Sequence, residues 1–283
     1  MKGFNNIGNT CYLNSGLQMM IQNTNLCNLI YKYKDRSDIL NNISDFIYEY
    51  YNSNKNSLTP KLIKNYVAET NNIFAGFGQQ DSSEFILFFI NLINDEINKV
   101  SSKKDKVYEI FGFNIHTRFK CKVIDCLNIS TNNTKEIFLE LDINDNCNVL
   151  DDCYRLFKSR AVLDDDNKYF CEKCNKKRKA SKRTSITQYP NDLIIVLKRF
   201  KFNGRRYEKN NQEIKIPTEW KQGYILNGFC FHSGSVNGGH YTYVGLNNDE
   251  WYLYNDSSVS KLNDNELKRY IHYGYVYWFH KDE

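Results

Sequence analysis

An α+β chain is predicted, with helices gathered in the first third and strands in the remainder. Up to about residue 106, apolar side chains recur at helical spacing behind recognisable caps. From about Val107 onward, β-branched and aromatic segments bounded by Gly, Asn and Asp take over. No repeat or low-complexity linker separates the two regions, so the 283 residues are read as one domain. A cleft where the helices meet the strands is the natural place for a site.

The elements follow in order. Cys11 to Gln22 carries Leu13, Leu17, Met20 and Ile21 at helical spacing. Ser37 is placed to cap a helix with Ile39, Leu40, Ile43, Phe46 and Ile47 on one face. In "TPKLIKNYVAE", Thr59 is the expected N-cap and Pro60 the first helical residue. Asp81 or Ser82 then caps the long apolar helix of "DSSEFILFFINLINDEINKV". Among the strands, "KEIFLELDI" alternates Ile137, Leu139, Leu141 and Ile143 on one side. "DLIIVLKRF", "HYTYVGL", "EWYLYND" and "YGYVYWF" complete the β-rich part. A hairpin of "HYTYVGL" with "EWYLYND" across "NND" is expected to set His240 and Asn255 side by side.

Composition narrows the function classes. A net charge of +5 is too small to argue for nucleic acid or a membrane surface. The longest apolar run, Phe85 to Ile93, is too short to span a bilayer. The opening "MKGFNNIGNT" has no apolar core of a secretory signal, which leads us to expect an intracellular protein, cytoplasmic, nuclear or both. Nine scattered cysteines, an odd number, fit metal ligands, catalytic thiols or core residues in a reducing compartment.

Of these, Cys11 sits where a helix begins, and unpaired backbone N–H groups there favour a thiolate. A nucleophile needs a base, and the chain has five histidines: His116, His232, His240, His272 and His280. His240 follows two glycines at the mouth of a strand, in "NGGHYTYV". Asn255 and Asp256 end the next strand and supply a third group to orient the imidazole. Taken singly, Cys11 reads as a buried structural cysteine and the Asn255–Asp256 pair as a turn; together with His240 they read as a Cys/His/Asn constellation.

Five ordered segments then carry a resemblance. "GFNNIGNTCYLNSGLQ" resembles the cysteine box of the ubiquitin-specific protease family, the papain-like cysteine deubiquitinases. "GGHYTYVGLNNDEWYLYNDSSV" resembles its histidine box, and "GQQDSSEF" its Gln-Gln-Asp box. "YFCEKC" and "YPNDLIIVLKRF" resemble its remaining signatures, so the likeness runs from residue 3 to about 279. The resemblance implies a thumb, palm and fingers architecture. The thumb would be residues 1–106, the palm 107–114 and 186–283, and the zinc-bearing fingers 115–185. It also implies that ubiquitin is the partner and that its Gly-Gly tail is cleaved through an acyl-enzyme. Cys11 would be nucleophile, His240 base and then acid, and Asn255 the orienting residue, with Asp256 sharing or taking over that task. Asn6 would aim its amide at the oxyanion beside the Cys11 backbone N–H. Asp81 would pair with an arginine of the ubiquitin tail while remaining a helix cap, and Gly8, Gly238 and Gly239 would line a slot that excludes side chains.

The remaining cysteines divide into two groups. Cys171 and Cys174 in "FCEKC" have the two-residue spacer of one edge of a tetrahedral zinc site. Their partners would be Cys121 and Cys126, here four residues apart, with Val123 where the family's register places the first ligand. A structural Zn2+ on four cysteines is expected, the alternative being a finger that has lost its metal. Cys27, Cys147, Cys153 and Cys230 carry no motif and are read as packing residues. "KKRKASKR" is read as a solvated basic hairpin, since no aromatic interleaving supports base stacking. No membrane or nucleic-acid partner and no catalytic cofactor are expected, and the protein is read as a monomer. Two other readings stay open: a protease for another Gly-Gly modifier, and a ubiquitin-binding scaffold without catalysis.

Overall fold

The computed structural model describes residues 1–202, 204–236 and 238–281. Six helices fill the first part of the chain: α1 (Cys11–Ile21), α2 (Thr24–Tyr33), α3 (Asp38–Asn52), α4 (Lys61–Thr70), α5 (Ser82–Val100) and α6 (Lys106–Phe111). Two more, α7 (Leu150–Lys158) and α8 (Asp264–Ile271), lie among the strands. Mixed helix and sheet gives the expected α+β class.

The caps explain where the helices start. Ser37 accepts from the Leu40 N–H and also donates to Glu96, fastening α3 to α5. Asp81 accepts from the N–H groups of Ser83 and Glu84 at 2.7 and 3.1 Å, as expected. At α4 the expectation shifts by one residue. Pro60 occupies the capping position, and the Thr59 hydroxyl instead accepts from the Asn5 side chain at 2.8 Å.

The central sheet has eight strands. Its main path runs Ser258–Lys261, Glu250–Asn255, Gly238–Asn247, Tyr224–Ser235, Gly274–His280, Asp192–Leu197 and Phe138–Leu141. All pairings on that path are antiparallel except that of Asp192–Leu197 with Phe138–Leu141. Both faces of the inner strands are buried, and alternation divides them between two cores. Ile194, Val196, Val276 and Trp278 face the first six helices. Leu193, Ile195, Leu197, Tyr277 and Phe279 face a second core closed by α7 and α8. A helix layer on each face is why these strands read as continuous apolar runs.

An outlying four-stranded sheet orders Ile129–Glu136, Phe113–Cys121, Ala180–Gln188 and Ala161–Leu163. It carries the small hairpin of Tyr169–Cys171 with Lys176–Arg178 at its far end. The span 115–185 is not wholly outlying: Phe138–Leu141 returns to the central sheet, and α7 packs into the second core. Ile137 lies on the first core and Leu139 and Leu141 on the second, because the chain bends as it leaves one sheet for the other.

Candidate active site

The helix α1 is buried along its whole length, including its polar residues. It lies between α5 and the strand Gly238–Asn247, so that Cys11 faces the residues around His240. Burial of Asn14 and Gln18 is compatible with folding because their amides are used: Gln18 donates to the Lys2 carbonyl, and Asn14 to the Phe4 carbonyl and Asp256. The Cys11 thiol is 5% exposed and meets the backbone N–H of Tyr241, the residue after His240. Burial pushes its pKa up. The Tyr241, Tyr12 and Cys11 N–H groups oppose this, while the Asp256 carboxylate adds to it. Desolvation thus outweighs the amides, and the net direction is upward.

The expected hairpin is present, turning through Asn248 and Asp249, both at positive φ. It sets His240 Nε2 at 2.7 Å from Asn255 Oδ1. A carbonyl oxygen accepts, so Nε2 carries the proton and Nδ1 is left with the free lone pair of a base. Asp256 Oδ2 is 4.0 Å from the same nitrogen, too far for a hydrogen bond but near enough to stabilise an imidazolium. The two neighbouring residues are thereby separated in geometry. Asn255 holds the ring, and Asp256 reaches across to the helical side.

There, Asp256 accepts from Asn6 Nδ2 at 3.0 Å and from Asn14 Nδ2 at 2.7 Å. The Asn6 carbonyl accepts in turn from the N–H groups of Gly8 and Thr10 and from the Thr10 hydroxyl. This fixes the side chain, and one N–H of its amide remains for another acceptor. Asp81 sits half-buried, its oxygens taken by the α5 N–H groups and by the hydroxyls of Ser83, Tyr241 and Tyr275. It ties the start of α5 to the central sheet.

Two of the three expected channel glycines are required by close packing. Gly8 has φ +108, and a Cβ there would lie 2.4 Å from the Phe77 ring. A Cβ on Gly239 would lie 2.2 Å from His232 Nε2 and 2.3 Å from the Ser233 carbonyl oxygen. Gly238 has ordinary room, with Gln79 Oε1 at 3.6 Å from such a Cβ.

Sequence reasoning missed Gln79 and Asn14. Gln79 accepts from the Gly239 N–H at 3.1 Å and donates to the Gly239 carbonyl at 3.2 Å, a two-way clasp across the cleft. It stands in "GQQDSSEF" beside the more conspicuous Asp81; Asn14 stands in the cysteine box itself. His232, a histidine without a motif role in sequence, lies buried beside Gly239 with its Nδ1 unpartnered. Burial, reinforced by Lys209, brings its pKa down to about 4.

At the far end of the outlying sheet, Cys121, Cys126, Cys171 and Cys174 place their sulfurs within 4.8 Å of one another. The Cys126 and Cys171 sulfurs are 3.5 Å apart, close to the ~3.8 Å edge of a tetrahedron with metal–sulfur bonds of ~2.3 Å. The longer spacer is absorbed by a turn in which the Cys126 N–H donates to the Val123 carbonyl. Val123 packs against the cluster, and Cys121 belongs to it. The donor set could hold a metal ion. All nine cysteines are free, and Cys147, Cys153 and Cys230 are buried as packing residues.

The family described as "Ubiquitin carboxyl-terminal hydrolase" matches residues 2–279. Ubiquitin carboxyl-terminal hydrolase 12 of Salmo salar is 26% identical over 314 residues, covering 95% of this chain and 83% of its own. Ubiquitin carboxyl-terminal hydrolase Usp2 of Drosophila melanogaster is 26% identical over 316 residues, covering 94% of this chain, which spans 33% of that relative's length. Among solved structures, the SAGA DUB module Ubp8/Sgf11/Sus1/Sgf73 bound to monoubiquitin aligns with a TM-score of 0.83 and 26% identity. That alignment covers all of this chain and 69% of the other. The same module bound to ubiquitin aldehyde aligns with a TM-score of 0.81, again at 26% identity, over all of this chain and 70% of the other. With the family's pattern matched from end to end, the chain belongs to the ubiquitin carboxyl-terminal hydrolases, cysteine-dependent enzymes of the deubiquitinating class.

Proposed function

We propose that the protein cleaves the bond after the C-terminal Gly-Gly of ubiquitin, with Cys11 as nucleophile. The observation that carries this is the convergence on the start of α1 of a tautomer-fixed His240 and an Asn6 amide anchored by Asp256. His240 Nδ1 takes the thiol proton as sulfur attacks the carbonyl carbon. The resulting imidazolium gains from Asn255 and from the Asp256 carboxylate at 4.0 Å. The oxyanion is met by the remaining Asn6 N–H and the Cys11 backbone N–H. Collapse expels the lysine amine, which takes the proton from His240 and leaves a thioester. Water, deprotonated by the same nitrogen, then releases the ubiquitin carboxylate and the thiol.

The partner reading is supported by the solved relatives, whose structures hold ubiquitin or ubiquitin aldehyde. It is supported too by a cavity of about 1000 Å³ between the helical body and the outlying sheet, lined among others by Leu87, Tyr108, Phe119, Thr134 and Lys182. In this reading residues 1–106 form the thumb, 107–114 and 186–283 the palm, to which Phe138–Leu141 and α7 also belong, and the rest of 115–185 the fingers. Asp81 meets the ubiquitin tail, and Gly8, Gly238 and Gly239 border its path. Zn2+ would be held by Cys121, Cys126, Cys171 and Cys174 as a structural ion, cross-linking the finger tip and taking no part in the reaction. The protein acts as an intracellular monomer, cytoplasmic, nuclear or both, a reading supported by its unpaired cysteines. No described helix is long and apolar enough to cross a membrane.

The test is a panel of C-terminally reactive probes built on ubiquitin and on other Gly-Gly modifiers, applied to wild type and Cys11→Ala. Labelling by the ubiquitin probe that disappears in Cys11→Ala is expected. Preference for another modifier would reassign the substrate. Binding of ubiquitin without labelling would leave a scaffold.

A further inference from the structure

Behind the strand that leads into His240 lies a cavity of about 370 Å³. It is lined by Arg199, Lys209, Asn211, Phe231, His232, Ser233, Gly234, Arg269 and Tyr273. Three of these side chains are basic, and no carboxylate is among them. A volume near the lower end of ligand pockets suits a small molecule rather than a protein segment.

The cations differ in how they are used. Arg199 is 2% exposed, and its guanidinium donates to the carbonyls of Gly274, Asn210, Gln212 and His272. Its hydrogen bonds are satisfied but its charge is not, because carbonyls bring no negative charge. Lys209 donates to the carbonyls of His232 and Gly234 at 2.7 and 3.1 Å, so one of its three N–H groups remains. Arg269 is exposed at the rim. None of the three forms an ion pair with a carboxylate among the described residues. Glu213, which the Tyr273 hydroxyl meets at 3.4 Å, does not line the cavity.

A second observation points to a ligand. His232 is 93% buried, lines this cavity, and its Nδ1 has no hydrogen-bond partner. Its other nitrogen, Nε2, faces Gly239. A buried, unpaired ring nitrogen is costly unless something fills it. Positive charge without counter-ions around an unsatisfied polar atom is the signature of a missing anion.

We propose that this cavity binds a small phosphate-bearing molecule, held by Lys209 and Arg269 with the buried charge of Arg199 behind it and the buried His232 ring in its wall. The site is separate from the catalytic cleft but lies on the strand paired with the one that bears His240. Lys209 grips the chain at His232 and Gly234, Ser233 pairs in register with His240, and the Ser233 hydroxyl donates to the His240 carbonyl. An anion that engages Lys209 therefore braces the hairpin that presents the catalytic histidine.

The experiment uses pyrophosphate and inorganic phosphate as probes on the full chain, by calorimetry and thermal denaturation, with ionic strength held constant by NaCl. Saturable one-site binding with a raised Tm is expected, tighter for pyrophosphate than for phosphate. Arg269→Gln, at an exposed position outside the catalytic machinery, should weaken it about tenfold. Lys268→Gln, an equally exposed neighbour that does not line the cavity, should leave it unchanged. Lys209→Gln should abolish binding, but it also removes the hairpin's ties, so Arg269→Gln is the deciding variant. Absence of saturable binding, or equal affinity in Arg269→Gln and Lys268→Gln, overturns the proposal. Substrate plays no part in the readout, so neither result depends on which modifier reaches Cys11.

Discussion

At the scale of single residues, Asn255 and Asp256 are adjacent in the chain yet do different work. Asn255→Ala frees the imidazole, and Asp256→Ala frees two asparagines and removes the charge beside the ring. Losing the Asn6 donor alone is expected to lower kcat by about 10²–10³-fold with KM little changed, and Asp256→Ala should cost at least as much. Steady-state kinetics on Asn6→Ala, Asn255→Ala and Asp256→Ala check this; an Asp256→Ala enzyme as fast as wild type would detach Asp256 from the oxyanion site. His232 makes a separate prediction. Unfolded, it takes up a proton near its ordinary value of 6.5, whereas folded it resists until about 4. The unfolded state thus binds more protons between those values, and stability falls by up to about 3 kcal/mol as pH drops from 6.5 to 4. Across that range the urea midpoint of wild type should fall relative to that of His232→Gln, which lacks this titration. Cys11, His240 and Asn255, the residues proposed to react, stood out in sequence because each lies in a compact motif. Asn14 and Gln79 were not, since their partners lie 242 and 160 residues away and no local pattern announces them.

At the scale of elements, hairpins and helices with local signals were read well, and junctions were not. The "NND" turn announced its hairpin because two successive residues accept positive φ there. Thr59 did not cap α4, because Asn5 competes for its hydroxyl from far along the chain. The bend at Ile137 escaped for a related reason. Strict alternation shows that a segment is extended, but not that it passes from one sheet to another. The strand bearing His240 yields a prediction of its own. Gly239→Ala would drive a methyl group into His232 and the Ser233 carbonyl, forcing the strand to shift. A destabilisation of about 1–3 kcal/mol is expected, with kcat falling more than stability explains. Gly238→Ala, which has room, should keep near wild-type stability by urea denaturation.

At the scale of the whole molecule, the four-cysteine cluster sits at the far end of the outlying sheet, with the central sheet between two cores of its own. Chelation should therefore loosen the finger tip without unfolding the body. The expected result is faster amide exchange confined to residues near 121–130 and 169–180, with a weaker apparent affinity for ubiquitin. Cys126→Ser should reproduce it, and global unfolding on chelation would contradict it. The fold class was visible in sequence because a doubly covered sheet leaves long apolar strands, whereas their order across the sheet leaves no such trace. That order has a temporal side. The central sheet joins Phe138–Leu141, Asp192–Leu197 and Gly274–His280, and Cys11, the proposed nucleophile, waits on a strand made long after its own helix. At ribosomal speeds of ~5–20 residues per second, His240 follows Cys11 by roughly 10–50 s. On the roles proposed for Cys11 and His240, the thiol through that interval has no base, no oriented imidazole and no Asp256 to anchor Asn6. The nascent chain is born disarmed, and the enzyme arms itself as its last strands close.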